Sequence, residues 1–134
     1  MAKNLNNNKK KSISILIVED DKFLRELLVR KLEEERFEAL TAVDGKEGLK
    51  EIEEKQPALI LLDLVLPGID GFEILKRIKG NAETSKIPVI ILSNLGQSEE
   101  VEKGLRLGAN DYLIKAHFTP DEIIKKIKDI LERE

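Results

Sequence analysis

Charged and hydroxyl side chains lie at the ends of four short apolar runs in this sequence. Five apolar residues precede Asp63, and a Pro-Gly turn follows shortly after it. The other runs end at Glu19, Asp20 and Asp21, at Ser93 and at Lys115. A fully apolar run is typical of a strand buried on both faces, and parallel strands place their carboxyl ends on one edge of a sheet. We therefore expect these side chains to converge in one cleft.

Carboxylates and a lysine in one cleft are suited to phosphoryl transfer. Neighbouring carboxylates raise one another's pKa unless a cation lies between them, and carboxylate oxygens are suitable ligands for Mg²⁺. A carboxylate such as Asp63 can attack phosphorus and form an aspartyl phosphate. Mg²⁺ and Lys115 would offset the charge of the phosphoryl group, and Ser93 could donate a hydrogen bond to it. Taken singly, Asp63 could instead cap a loop and Lys115 could be an ordinary exposed lysine.

The elements that would position these residues alternate between strand and helix. Apolar spacing predicts strands at residues 13–18, 38–43, 58–63, 87–92 and 110–114. Helices are predicted at about residues 23–35, 46–55, 71–79, 99–107 and from 120 to the end of the chain. This alternation indicates an α/β fold, a doubly wound parallel sheet of five strands with five helices. A flavodoxin-like strand order of 2-1-3-4-5 would bring the ends of strands one and three together.

Size and composition limit the classes of protein that fit. The 134 residues, 41% hydrophobic and 37% charged, are typical of one soluble globular domain, which we place at residues 13–134. The sequence has no cysteine, which excludes disulfides and thiolate metal sites. It also has no apolar run of the roughly 20 residues that a membrane helix needs and no secretory signal, so we expect a cytoplasmic location.

The first twelve residues differ from the rest in charge. They contain four lysines and no acid, so the remainder carries −7, because the whole chain carries −3 and this segment +4. We expect residues 1–12 to form a disordered, solvated basic tail, with contact to nucleic acid or acidic surfaces as the alternative. The acidic charge of the remainder argues against nucleic acid as the main partner of the folded part.

Four motifs resemble the receiver domain of bacterial two-component response regulators. They are Ile15–Asp21, Leu61–Gly71, Pro88–Ser93 and Gly108–Lys115, and the resemblance covers nearly all of residues 14–131. It implies that Asp63 is the phosphoacceptor, with the phosphoryl group coming from the phosphohistidine of a histidine kinase or phosphotransfer protein. It further implies that the domain catalyses its own phosphorylation and slow dephosphorylation, without independent turnover of a substrate.

The resemblance also implies a metal site and a helix cap. Mg²⁺ would be bound by Asp20, Asp63, the backbone carbonyl of Val65 and, through a water molecule, Glu19. Lys115 would be the lysine of the pocket. Asp21 would lie outside the pocket and cap the first helix.

Ser93 and Tyr112 would form a switch if the resemblance holds. A phosphoryl group would draw Ser93 inward, and Tyr112 could then turn from outside to inside. This movement would remodel the face formed by the fourth helix, fifth strand and fifth helix, where an unknown downstream protein or a second copy of the chain could bind. We see no DNA-binding domain in this sequence. Gly104, in the fourth helix, fits either a helix that shifts or a close packing contact.

The sequence departs from the family pattern after the pocket lysine. Ala116 follows Lys115 where the family usually has proline after a cis peptide, and a cis bond before a non-proline residue costs about 2.5–4 kcal/mol. We therefore predict a trans bond between Lys115 and Ala116, which leaves open how far Lys115 reaches into the pocket. His117, the only histidine, is interpreted as a loop residue without a catalytic role.

Two apolar residues bear on the lifetime of a phosphorylated state. Val65 and Leu95 each lie two residues beyond a proposed site residue, at positions that flank the path of the attacking water in the family. Neither side chain can orient that water, so we predict slow self-dephosphorylation.

Three other classes of protein can be weighed against a receiver. A phosphatase of the haloacid dehalogenase type would have a second acid two residues after its nucleophile, where this chain has Val65. A nucleotide or flavin module would need a phosphate cradle after the first strand, where Glu19–Asp21 would repel phosphate. A degenerate receiver that only binds partners would have lost a pocket residue; none is lost, although the altered loop after Lys115 leaves this alternative open.

Overall fold

The computed structural model describes residues 12–133, and the structural statements below concern this part of the chain. Five parallel strands form one sheet in the order β2-β1-β3-β4-β5. The strands are β1 (Ser14–Val18), β2 (Glu38–Ala42), β3 (Leu59–Leu62), β4 (Val89–Ser93) and β5 (Asp111–Ile114). The helices are α1 (Lys22–Glu34), α2 (Gly45–Lys55), α3 (Gly71–Gly80), α4 (Ser98–Arg106) and α5 (Pro120–Arg133). The predicted doubly wound fold with order 2-1-3-4-5 is confirmed.

Alternate residues of the central strands belong to two core layers. On one face, Leu16 and Ile60 pack in the layer that α2 and α3 complete, together with part of α4. On the other face, Ile15 and Leu59 pack in the layer formed with α1 and α5. β1, β3 and β4 are covered on both sides, which explains why their sequences are continuous apolar runs.

Aspartates begin the first three helices on the side of the sheet where the strands end. Asp21, Asp44 and Asp70 are the N-caps of α1, α2 and α3, and each side chain accepts a hydrogen bond from a backbone N–H of its helix. α5 begins as predicted at Pro120, after Thr119, whose hydroxyl accepts from the Glu122 amide. Within the described residues, no helix has the length and apolar character needed to span a membrane.

The loop after β5 contains one element that we did not predict. Residues Lys115–His117 form a short 3-10 turn. The peptide bond between Lys115 and Ala116 is trans, as are the other peptide bonds in the described part of the chain. The predicted trans bond is therefore confirmed. The predicted basic tail comprises residues 1–12. Residues 1–11 lie outside the described residues, and Ser12 is exposed.

Gly71 allows α3 to begin directly against the backbone that follows β3. A Cβ atom at this position would lie 2.4 Å from Leu64 Cα and 2.7 Å from the carbonyl oxygen of Asp63. These neighbours are backbone atoms, which cannot move aside without shifting the loop. The close approach therefore helps to determine where Asp63 lies.

Replacing Gly71 with alanine is expected to destabilise the protein by about 1–3 kcal/mol, as overpacking typically does. The matched control is Gly80→Ala at the other end of α3, where a Cβ would meet nothing within 4 Å. Because alanine favours helix, the control should be neutral or more stable by up to about 1 kcal/mol. Urea unfolding of both variants measures the difference. Equal stability of the two would contradict the packing argument.

Candidate functional site

Residues from four loops meet in one cleft at the carboxyl ends of the strands. The strand order places β1 beside β3, and the amide of Asp63 donates a 3.1 Å hydrogen bond to the carbonyl of Val18. The cleft is lined by Glu19, Asp20, Asp21, Asp63, Val65, Asn94 and Lys115. The predicted convergence of the acids and the lysine is therefore found in the structure.

Lys115 lies between two buried carboxylates. Its Nζ is 2.9 Å from Glu19 Oε1 and 3.0 Å from Asp63 Oδ2. Glu19 and Asp63 are only 2% and 4% exposed, and a buried charge requires a partner of opposite sign or hydrogen bonds. Lys115 reaches the pocket although the following bond is trans. This removes the observation that favoured a degenerate receiver.

Burial and charge shift the pKa values of this group. Burial raises the pKa of Glu19, and the charge of Asp63 acts in the same direction, against hydrogen bonds from Lys115 and the Asp21 amide. For Lys115, burial would lower the pKa. Its hydrogen bonds to Glu19 and Asp63, together with their negative charges, outweigh burial and raise the pKa. Lys115 is therefore a stable cation, whereas Glu19 holds its charge less firmly than an exposed glutamate.

Three acids of the cleft fit a metal ion. Carboxylate oxygens of Glu19, Asp20 and Asp63 all lie within 4.8 Å of one another. Asp20 is exposed, and its carboxylate makes no hydrogen bond or ion pair with any residue between 12 and 133. A group of oxygen ligands with one free carboxylate is suited to a hard divalent cation such as Mg²⁺.

Val65 orients the carboxylate of Asp63 through its backbone. Its amide donates a 3.2 Å hydrogen bond to Asp63 Oδ1, while Lys115 contacts the other oxygen, Oδ2. Val65 is 59% exposed and lines the cleft. Both oxygens of Asp63 are thus directed by neighbouring groups: the contact with the Val65 amide caps the loop, and the contact with Lys115 comes in addition to it.

Ser93 lies behind the cleft and does not line it. It is fully buried, and its hydroxyl oxygen accepts a 3.2 Å hydrogen bond from the amide of Leu95. Asn94, the next residue, lines the cleft instead. We did not predict a role for Asn94, although it directly follows the strand-end serine that we singled out.

Tyr112 occupies an inward position against α4, so the expectation that it starts outside and turns inward only after phosphorylation is wrong for this structure. The residue is only 9% exposed, and its hydroxyl donates to the carbonyl oxygen of Leu95. A Cβ at Gly104 would lie 2.6 Å from Ile91 Cδ1 and 3.1 Å from Tyr112 Cδ2, which supports the packing explanation for this glycine. Burial raises the pKa of the Tyr112 phenol, as do the charges of Glu100 and Asp63.

Three further predictions can be compared with the geometry. Asp21 caps α1, since its Oδ1 accepts a 3.1 Å hydrogen bond from the Leu24 amide. It also borders the cleft, because the N-cap of α1 directly follows the acid pair, but it is not one of the three acids whose carboxylate oxygens lie within 4.8 Å of one another. His117 is exposed and does not line the cleft. Nothing in the sequence led us to assign a role to Arg25, which lies one helical turn after Asp21 and donates a hydrogen bond to the Glu19 carbonyl.

In this parallel sheet, an acidic pair follows β1, an aspartate follows β3 and a lysine follows β5. This arrangement defines a receiver-like class of signalling domain. The family model described as the response regulator receiver domain matches residues 15–128. The chain belongs to this family, whose members take part in phosphorylation-based signalling in two-component systems.

Two relatives of this chain are named as transcriptional regulatory proteins. The chain is 39% identical over 119 residues to the phosphate regulon transcriptional regulatory protein PhoB of Rhizobium meliloti, covering 89% of this chain and 52% of that protein. It is 41% identical over 102 residues to the transcriptional regulatory protein AfsQ1 of Streptomyces coelicolor, covering 76% of this chain and 44% of that protein. The chain thus spans about half the length of the relatives that it matches.

Solved receiver domains have the same fold. A response regulator receiver domain from Francisella is 34% identical with a TM-score of 0.83, covering 91% of this chain and 98% of that chain. A CheY-like receiver domain protein from Methanospirillum hungatei is 29% identical with a TM-score of 0.85, covering 92% of this chain and 96% of that chain. Both similarities extend over nearly the whole described chain.

Proposed function

We propose that Asp63 accepts a phosphoryl group from the phosphohistidine of a histidine kinase or a phosphotransfer protein, in a reaction that depends on Mg²⁺. One observation carries this proposal. The buried carboxylate of Asp63 contacts the ammonium of Lys115, and its oxygen lies within 4.8 Å of carboxylate oxygens of Glu19 and Asp20. An oxygen of Asp63 would form the new bond to phosphorus as the P–N bond breaks, and the bonding electron pair would leave with the imidazole nitrogen.

Different residues of the cleft would hold the metal ion, the acceptor carboxylate and the phosphoryl group. Mg²⁺ would be held by Asp20, Asp63, the Val65 carbonyl and, through water, Glu19, and when bound it supplies positive charge beside the phosphoryl oxygens. The Val65 amide keeps Asp63 Oδ1 in place. Lys115 would transfer its hydrogen bond from Asp63 Oδ2 to a phosphoryl oxygen, which neutralises part of the added charge.

The switch that we propose links the cleft to the face formed by α4, β5 and α5. The Ser93 hydroxyl would leave the Leu95 amide and donate to a phosphoryl oxygen. Because Tyr112 already donates to the Leu95 carbonyl, a shift of Ser93 would change the packing around its ring. Exchange of Tyr112 between this inward position and an outward one would then alter the face. The partner at that face would be a downstream protein or a second copy of the chain.

Phosphorylation by a small donor tests the proposed chemistry. The protein is incubated with acetyl phosphate and Mg²⁺, and a parallel sample contains EDTA in place of Mg²⁺. Intact mass spectrometry should show the addition of one phosphoryl group only in the sample with Mg²⁺. No addition under either condition, or equal addition in both, would contradict the proposal.

The phosphorylated state is predicted to decay slowly because Val65 and Leu95 cannot orient water. Val65 is exposed at the mouth of the cleft and Leu95 is half-buried, so polar side chains can be introduced at both positions. Val65→Asn and Leu95→Glu should accelerate dephosphorylation by roughly tenfold, less than a full general base supplies. A decay time course after removal of acetyl phosphate measures the rates. Unchanged rates in both variants would refute the explanation.

The proposal also includes the domain bounds, the basic tail and the location of the protein in the cell. We place the receiver domain at residues 13–134 and a solvated basic tail before it. We expect the domain to act in the cytoplasm, where its phosphoryl donor would be made. Its relatives in Rhizobium and Streptomyces are transcriptional regulators, and any role in transcription for this chain would be exerted through a partner or further domain.

A further inference from the structure

We propose that Arg25 is a positioning residue that fixes the acidic loop 19–21 and thereby directs Asp20 toward the metal. This inference rests on the proposed function, because it concerns the Mg²⁺ site of the same cleft. Arg25 lies on α1, one turn after the helix begins, and its side chain is partly buried. It does not line the cleft itself. Its effect on a metal would therefore pass through the loop.

Arg25 holds the loop at two carbonyl groups. Its guanidinium Nη1 donates a 2.8 Å hydrogen bond to the carbonyl oxygen of Glu19. Its backbone amide donates a 2.9 Å hydrogen bond to the carbonyl oxygen of Asp21. Any residue except proline could make the second contact, whereas the first needs a long side chain with a donor at its end. Arg25 thus contacts the peptide group that precedes Asp20 and the one that follows Asp21.

Other contacts hold the neighbours of Asp20 but not Asp20 itself. The amide of Glu19 donates to the Ala42 carbonyl, and the amide of Asp21 donates a 3.0 Å hydrogen bond to Glu19 Oε2. Asp20 has an exposed carboxylate without a side-chain partner among residues 12–133. Its direction therefore depends on the backbone of the loop, and the Arg25 guanidinium is the side-chain donor that holds the adjoining carbonyl.

The chemistry of the contact explains why arginine suits this position. A hydrogen bond from a charged donor is roughly twice as strong as one between neutral groups. Contacts that orient a metal ligand from outside the coordination shell typically change metal affinity by about 10–100-fold when removed. Without the guanidinium, the Glu19 carbonyl loses this donor and the loop gains freedom. We expect a loss of Mg²⁺ affinity at the lower end of that range, about tenfold, since the remaining backbone contacts are kept.

Titration with MgCl₂ alone, without a phosphoryl donor, tests the inference directly. Isothermal titration calorimetry gives the Kd for wild type, Arg25→Met, Arg25→Lys and Arg30→Met. Arg30 is an exposed arginine of the same helix, so Arg30→Met is a control with the same change in charge. Arg25→Met should raise the Kd about tenfold, Arg30→Met should leave it unchanged, and Arg25→Lys should lie between them.

A second measurement separates positioning from a general loss of structure. If Arg25 acts on the metal site, saturating Mg²⁺ should restore most of the rate at which Arg25→Met is phosphorylated by acetyl phosphate. A lower melting temperature with an unchanged Kd would overturn the inference. If Arg25→Met does not fold, Arg25→Gln replaces it, because the shorter amide cannot reach the Glu19 carbonyl, and an unchanged Kd would again refute the inference.

The design distinguishes this inference from the proposed function. Asp20→Asn removes a proposed ligand and should abolish most Mg²⁺ binding, whatever Arg25 does. If wild type itself bound no Mg²⁺, the proposed metal site would fail, and the inference with it. If wild type bound Mg²⁺ and Arg25→Met bound it equally well, only the inference about Arg25 would fail.

Discussion

Replacing Asp63 with asparagine should abolish phosphorylation of this protein by acetyl phosphate. The substitution keeps the size of the side chain but removes its negative charge. The neutral amide oxygen is a much weaker nucleophile toward phosphorus than the carboxylate, and it is a poorer ligand for a divalent cation. Intact mass spectrometry in the presence of Mg²⁺ should show one added phosphoryl group on wild type and none on Asp63→Asn.

Asp70→Asn provides a matched control in the loop that follows Asp63. Asp70 is exposed and caps α3 by accepting a hydrogen bond from the Phe72 amide. Because asparagine caps helices about as well as aspartate, this variant should fold normally and be phosphorylated like wild type. Addition of a phosphoryl group to Asp63→Asn, at the wild-type rate, would place the acceptor elsewhere and contradict the proposal.

The structure also explains why Asp63 rather than Asp20 is the proposed acceptor. Asp63 is buried, and both its oxygens are directed by neighbours, the Val65 amide and the Lys115 ammonium. Asp20 is exposed and has no such partners within the described residues. A reacting carboxylate benefits from a fixed orientation and from groups that balance the added charge. A metal ligand at the mouth of the cleft needs only to reach the ion.

The sheet could be predicted from the sequence because burial on both faces leaves a direct pattern. Leu59–Leu62 and Val89–Leu92 have no polar residue to interrupt them, as expected for central parallel strands. The strand order then places the residues after β1, β3 and β5 on one edge. For this reason the meeting of Glu19, Asp63 and Lys115 was predictable, although nearly 100 residues separate the first from the last.

Features that depend on the direction of a single side chain could not be predicted in this way. The inward position of Tyr112 follows from space beside Gly104 and a carbonyl acceptor at Leu95, neither of which has a sequence pattern. The reach of Arg25 back to Glu19 likewise depends on its rotamer. The 3-10 turn after β5 escaped prediction because three residues are too few to establish a period.

Replacing Lys115 with methionine should slow phosphorylation by about a hundredfold. Methionine retains most of the aliphatic chain but cannot donate to the phosphoryl oxygens, and loss of one such charge-stabilising donor typically costs about 10²–10³ in rate. Asp63 remains in place and Mg²⁺ remains available, so the reaction should slow without being abolished. Time courses of phosphorylation by acetyl phosphate, followed by intact mass, measure the ratio. A rate equal to that of wild type would contradict the role of Lys115.

Lys115→Met should also lower the stability of the folded protein, and the loss should increase with pH. Burial already raises the pKa of Glu19, and the hydrogen bond from Lys115 partly opposes the rise, so Lys115→Met should raise it further. An acid with a raised pKa binds its proton more tightly in the folded state than in the unfolded state. The folded state therefore loses stability as pH rises from the ordinary value of 4.5 through the raised pKa. The variant should therefore be only slightly less stable than wild type in acid, and the difference in stability should grow toward neutral pH.

Thermal unfolding in EDTA at a series of pH values measures this dependence, with Lys86→Met as the control. Lys86 is an exposed lysine just before β4, at the edge of the sheet opposite the cleft, so its removal should shift stability little and equally at each pH. The loss for Lys115→Met should stay below the roughly 3–5 kcal/mol found for fully buried pairs, because the cleft is open to water. Added Mg²⁺ should recover part of it, since a cation among the acids replaces the missing charge. A deficit that shrinks toward neutral pH would show that Lys115 does not stabilise the ionised acids.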